Sequence, residues 1–204
     1  MLRLYYAPRT ISLASHIALE ESGLAYEAVK LDFGARQQQT ADYLAINPKG
    51  RVPALVTDRG ILTETPAVLT YIAQIAPDAK LAPAGDPFAF AVLQSLMAYL
   101  CSTVHPAHAH KGRGARWSDD PAVIEALKVK VPKNMADCSA LIETEYLKGP
   151  WVMGEAFSVA DPYLFAIASW LEGDGVDATQ FPRLLDHRTR MAQRPAVARV
   201  LKLH

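Results

Sequence analysis

Over the first eighty residues the apolar positions switch between short continuous runs and a helical repeat, the pattern of strands and helices laid down in turn. Leu2 to Tyr6 is short, aromatic and aliphatic, and reads as a buried strand ended by Pro8. From Ser12 to Ser22 the apolar residues Leu13, Ile17 and Ala18 recur at helical spacing, and Gly23 stands where a left-handed C-cap is wanted. Tyr26 to Leu31 predicts a second strand, followed by a polar stretch through Gln37 and Gln39 and a short amphipathic turn ending at Asn47 and Pro48. Val52 to Val56 and Ile61-Leu62 flank a tight reversal in which Gly60 supplies the positive φ, so a β-hairpin is expected there. Pro66 opens a third helix striped by Val68, Leu69, Ile72 and Ile75. The order is βαβ followed by ββα.

Residues 78–87 are rich in Pro, Gly and Asp and predict a linker between a first domain, residues 1–77, and a second, residues 88–204. The second domain reads as all-α, with helices over Phe88 to Val104, Pro121 to Leu147 with a bend at Pro132, Tyr163 to Leu171, and Leu184 onward. The helix from Tyr163 is apolar nearly all round and must be enclosed by others. Ser158 and Asp161 before it form a capping box, with Phe157 as its staple.

The chain has 204 residues, 50% of them hydrophobic, with 21 basic and 21 acidic side chains. Disorder is excluded by the apolar content, and a chain of this size buries roughly 70% of its unfolded surface. Zero net charge leaves no counterion-release term for nucleic acid. Two cysteines and no secretory leader predict a reducing, cytoplasmic setting, and no uninterrupted apolar run approaches the ~20 residues of a membrane span. Cys101 and Cys138 stand among apolar residues and read as small hydrophobes. His105, His108 and His110 do not make a metal site, because only the first two can share a helical face and no carboxylate or thiolate completes the set.

The segment Lys49-Gly-Arg-Val52-Pro53-Ala-Leu is the most informative, since a proline directly before a strand removes a ladder donor. With Tyr5-Tyr6-Ala-Pro8, Glu64-Thr65-Pro66-Ala67, Phe157-Ser158-Val-Ala-Asp161 and Met191-Ala-Gln-Arg-Pro195, it resembles the glutathione transferases, most closely the bacterial beta class. The resemblance spans essentially the whole chain. It implies an α/β thioredoxin-like domain followed by a helical bundle, glutathione as co-substrate, and a cytoplasmic homodimer that conjugates the glutathione thiolate to a small apolar electrophile, a detoxification chemistry. Val52 would pair its backbone with the cysteinyl part of glutathione beside a cis Pro53. Glu64 and Thr65 would hold the γ-glutamyl end, and Arg36 the glycyl carboxylate.

One departure stands out: where the beta class carries its cysteine, this chain has Ile11. Three hydroxyls remain to stabilise a thiolate, namely Ser12, Thr10 and Tyr6, and the alternative reading of Ser12 is an ordinary N-cap. The resemblance also places His105 facing the cleft, and Pro106 is expected to kink the helix there. Arg116 and Trp117 could meet the second substrate by charge and stacking. A catalytically weak or inactive glutathione-binding scaffold of the same fold, or another glutathione reaction such as peroxide reduction, isomerisation or dehalogenation, stays open.

Overall fold

The computed structural model describes residues 1–204. Strands β1 (Leu2–Tyr6), β2 (Tyr26–Lys30), β3 (Ala54–Thr57) and β4 (Gly60–Thr63) form one sheet in the order β2-β1-β3-β4. β1 runs parallel to β2 and antiparallel to β3, and β3 and β4 close the expected hairpin, with Thr57 opposite Gly60. The two-residue period of β1 sends Leu4 and Tyr6 into the main core, while Tyr5 packs with a smaller cluster holding Ala7, Tyr43 and Ala54.

Helices α1 (Ser12–Ser22), α2 (Ala41–Ile46) and α3 (Thr65–Ile75) complete this unit. Gly23 ends α1 at φ 70°, the left-handed cap foreseen from the sequence. α1 is buried continuously from Ser12 to Leu19, because it packs on α3 and also on helices of the second unit. One cluster of 42 buried residues therefore runs from the sheet into the bundle, so the two halves meet through a core and not through a wet interface. Burying a side chain such as Ile17 or Leu69 contributes about 1.5–3 kcal/mol.

The bundle consists of α4 (Pro87–Tyr99), α5 (His105–Arg113), α6 (Pro121–Val129), α7 (Val131–Leu141), α8 (Ala160–Ala168), α9 (Pro182–Ala192) and α10 (Pro195–Leu201). Two expectations change here. α4 and α5 are joined without a break by a π turn over Leu100–Val104, which passes the His105 N–H to the Leu100 carbonyl. That widened turn lets the helix run through Pro106, which lacks a donor of its own. The resulting helix, Pro87–Arg116, is long and apolar enough by length and composition to span a membrane, unlike the expectation from sequence. Its Leu93, Leu96, Met97, Leu100 and Val104 are buried in the protein core. At Lys130 the opposite happens: the chain breaks into α6 and α7, with Pro132 in the first turn of α7.

α8 is buried along its whole length. Its start is fixed by Asp161, fully buried, whose Oδ2 accepts from the Ser158 N–H at 2.7 Å and whose Oδ1 accepts from the Val152 N–H at 2.9 Å. His187 Nε2 donates to the same carboxylate at 3.0 Å, tying α9 to α8. The Ser158 hydroxyl accepts from the Ala160 N–H at 3.3 Å, completing the capping box. Phe157 packs edge-on against Trp151 and under the Arg194 guanidinium. Asp161→Ala strands four buried donors, the Ser158 and Val152 N–H groups, the Ser158 hydroxyl and His187 Nε2, and should cost about 3–5 kcal/mol in urea unfolding, against about 1 kcal/mol for Ser158→Ala. Equal losses in the two variants would contradict this account of the α8 start.

Candidate active site

Two adjoining cavities, of about 360 and 900 Å³, open between the sheet and the bundle. They share Ile11, Arg51, Val52, His105, Ala109 and Arg116. The Val52–Pro53 peptide bond is cis, and Val52 lies two residues ahead of β3, outside the ladder. Its N–H and C=O form no internal hydrogen bond. What positions it is the preceding residue. The Arg51 carbonyl accepts from the Tyr43 hydroxyl at 2.6 Å and from Asn47 Nδ2 at 2.7 Å. Tyr43 and Asn47 are buried, and burial pushes the Tyr43 phenol up to about 12, so it remains a donor throughout the neutral range.

Across the smaller cavity, Glu64 holds φ at 71°, a conformation that non-glycine residues rarely adopt, and its carboxylate pairs with Lys49 Nζ at 2.5 Å. Thr65, nearly buried, is the first residue of α3, where first-turn N–H groups have no helical acceptor. The structure thus brings Val52, Pro53, Glu64, Thr65 and His105 around one cavity.

Three of the sequence-derived candidates lie elsewhere. Ser12 is fully buried, and its hydroxyl accepts from the Ala7 N–H at 3.1 Å while bonding Thr10 Oγ1 at 2.7 Å. It braces the loop from Ala7 to Ser12, neither capping α1 nor facing the cavities. Tyr6 points into the core and packs against His16 and His204 at 4.7 and 4.8 Å between ring centres. Arg36 is exposed, holds φ 56° and lines neither cavity, its loop turning it outward. Thr10 does line the wider cavity, with its hydroxyl donating to the Ala7 carbonyl at 2.8 Å.

His105 stands at the junction of both cavities with its ring 5.1 Å from that of Trp170. Burial, followed by the charges of His108, Arg113, Arg116 and Arg51, pushes its imidazole down to about 4. It is therefore neutral at physiological pH and can accept or donate a single hydrogen bond. Cys101, read from sequence as a small hydrophobe, is instead exposed and lines the smaller cavity. Burial and the nearby Glu64 raise its thiol, which keeps it protonated and a weak nucleophile. Sequence reasoning also missed Lys49, Arg51 and Asn47, whose only signal was their place immediately before Val52.

Known proteins resemble this chain over nearly its whole length. Residues 1–74 match the glutathione S-transferase N-terminal domain and residues 117–203 the glutathione S-transferase C-terminal domain. A glutathione S-transferase of Escherichia coli is 31% identical over 200 residues, covering 96% of this chain and 95% of that one. A glutathione transferase homologue from Sulfitobacter, solved with bound glutathione, is 50% identical with a TM-score of 0.96, covering 100% of this chain and 98% of that one. A beta class glutathione S-transferase from Sphingomonas chungbukensis is 36% identical with a TM-score of 0.86, each chain covered to 98%.

Burial also drives His16 and His204 down to about 4, as it does His105. Each folded value lies below the ~6.5 of an unfolded histidine, so the native state binds fewer protons and is progressively destabilised as pH falls from ~6.5 to about 4. Urea unfolding across that window should show stability falling with acidification, and His105→Gln should flatten part of the slope. An unchanged slope in that variant would place the His105 imidazole in water.

Proposed function

The chain belongs to the glutathione S-transferase family, and from that premise we propose how its own residues bind glutathione and activate the thiol. The single observation that carries the reading is the unpaired Val52 backbone beside cis Pro53, facing Glu64 and Thr65 across one cavity. Glutathione lies along Val52 as an added strand, taking its N–H and C=O. Thr65 and the start of α3 receive the γ-glutamyl carboxylate, and Glu64 its ammonium. Arg51 or Arg9, in place of the outward Arg36, meets the glycyl carboxylate.

With Ile11 at the start of α1, no side chain there can donate to sulfur. The Ile11 N–H forms no internal hydrogen bond and stands at the positive end of α1. We assign thiolate stabilisation to this N–H, to the Thr10 hydroxyl turning from Ala7, and to the field of Arg9 and Arg51 in the adjoining cavity. The thiol proton leaves to water and the thiolate attacks an electrophilic carbon held against Ile11, Pro106, Trp117 and Tyr163. Neutral His105 orients a polar group of the second substrate. The exposed apolar residues Phe88 and Val92 on α4 and Ile61 on β4 supply the face of a two-fold dimer. The enzyme works in the cytoplasm, removing reactive electrophiles.

The absence of a side-chain donor at Ile11 favours one rival, a glutathione-binding scaffold without turnover. A glutathione titration followed by ultraviolet absorption of the thiolate separates the two. The bound thiol should titrate at least about one unit below the ~8.5 of a free cysteine thiol. Thr65→Ala should weaken glutathione about tenfold, the equivalent of ~1.4 kcal/mol. Binding with an unshifted thiol supports the scaffold, and no saturable binding rejects the site.

A further inference from the structure

The wider cavity carries a charge imbalance that the neutral chain conceals. Seven Lys and Arg side chains line it, and no Asp or Glu does. Three of these are already neutralised: Lys49 by Glu64, Lys111 by Asp174 and Lys128 by Glu125. Arg9, Arg51, Arg113 and Arg116 have no carboxylate partner. Arg51, Arg113 and Arg116 stand close enough to act on one another, and Arg116 is held below the ordinary guanidinium value, first by burial and then by those two charges. Glutathione brings two carboxylates, one for the start of α3 and one for Arg51 or Arg9. Arg113, the last residue of α5, and Arg116, in the turn that follows, are left over.

We propose that the second substrate is an acid: a planar, aromatic electrophile whose carboxylate or sulfonate is held by Arg113 and Arg116 while its ring lies along Trp170 and His105. This rests on the glutathione reading and narrows its substrate class. The wall is built for such a ligand. His108 stacks on Trp170 at 4.1 Å between ring centres and bonds Asp174 at 2.6 Å, while Lys111 bonds the Gly173 carbonyl. Those contacts fix the end of α5 against the turn after α8, so Arg113 and the Trp170 ring share one rigid frame. An anion between two guanidiniums gains two charge-assisted contacts and relieves their mutual repulsion. The positive groove also draws acids in from solution. In the reaction the sulfur forms a bond to a ring carbon, a halide departs with its bonding pair, and the thiol proton has already passed to water.

The test compares 4-chloro-3-nitrobenzoate with its neutral amide, each rate divided by the uncatalysed rate with glutathione. The acid should be favoured at least about tenfold in kcat/KM, a difference of ~1.4 kcal/mol. In R113M/R116M the acid-to-amide ratio should fall to about one and lose its dependence on salt. If neither compound turns over, equilibrium binding of the benzoate and the amide to the glutathione complex supplies the same ratio. A ratio near one in the original protein, or one that survives in the double variant, overturns the proposal. Calorimetric stoichiometry separates the sources of carboxylate. Two glutathiones per chain, falling to one in R113M/R116M, would assign the wall to a second glutathione and overturn the electrophile assignment. No glutathione binding at all would instead overturn the reading on which the proposal rests, whereas glutathione binding with a flat ratio overturns only the acid.

Discussion

Everything in the site depends on one backbone carbonyl. Arg51 C=O is gripped from two sides by the buried Tyr43 hydroxyl and Asn47 amide. These bonds hold the chain still just before cis Pro53, leaving Val52 outside the ladder with its polar groups free. Had Val52 continued β3, its N–H and C=O would be spent on β1 or β4. A buried donor to a carbonyl is worth only about 0.5–1.5 kcal/mol in net stability. Its larger effect is to order in advance the segment on which the proposed glutathione pairing relies.

The same economy of elements appears in α1. Its inner face is buried in the shared core, packed on α3, α8 and α10, while Ile11, the residue just before it, lines both cavities. A helix fixed that firmly presents its N-terminal N–H groups with little freedom, which suits stabilisation of an anion in place of a mobile side chain. Arg194 links the same helix to the bundle through a two-point bond to Glu21 at 2.6 and 2.8 Å.

Much of this was legible in the sequence. The periods of Leu2–Tyr6, of the 12–22 helix and of the 57–60 reversal predicted their elements, because local pattern and tertiary burial agree there. The cis bond at Pro53 was implied by the family resemblance, and the Ser158–Asp161 box was readable from residue types in fixed order. The helix end expected at Val104 was overrun because the widened π turn over Leu100–Val104 carries the chain on through Pro106. Ser12 and Tyr6 misled for a simpler reason. A hydroxyl near the right place in the chain says nothing about direction, and the strand period turns Tyr6 to the core while the 7–12 loop consumes Ser12. Of the cationic groove only Arg116 was foreseen, since Arg9 and Arg51 come from segments far from it in a chain with equal acid and base. Only folding puts them on one wall and sends the carboxylates elsewhere.

The central claim, that glutathione pairs with the Val52 main chain, is tested most directly by amide hydrogen exchange followed by NMR with and without glutathione. The account predicts that the Val52 and Thr65 amides gain protection and shift together on saturation, with the Ile11 amide following the ionisation of the bound thiol. Saturation that leaves the Val52 amide exchanging as in the free protein would contradict it.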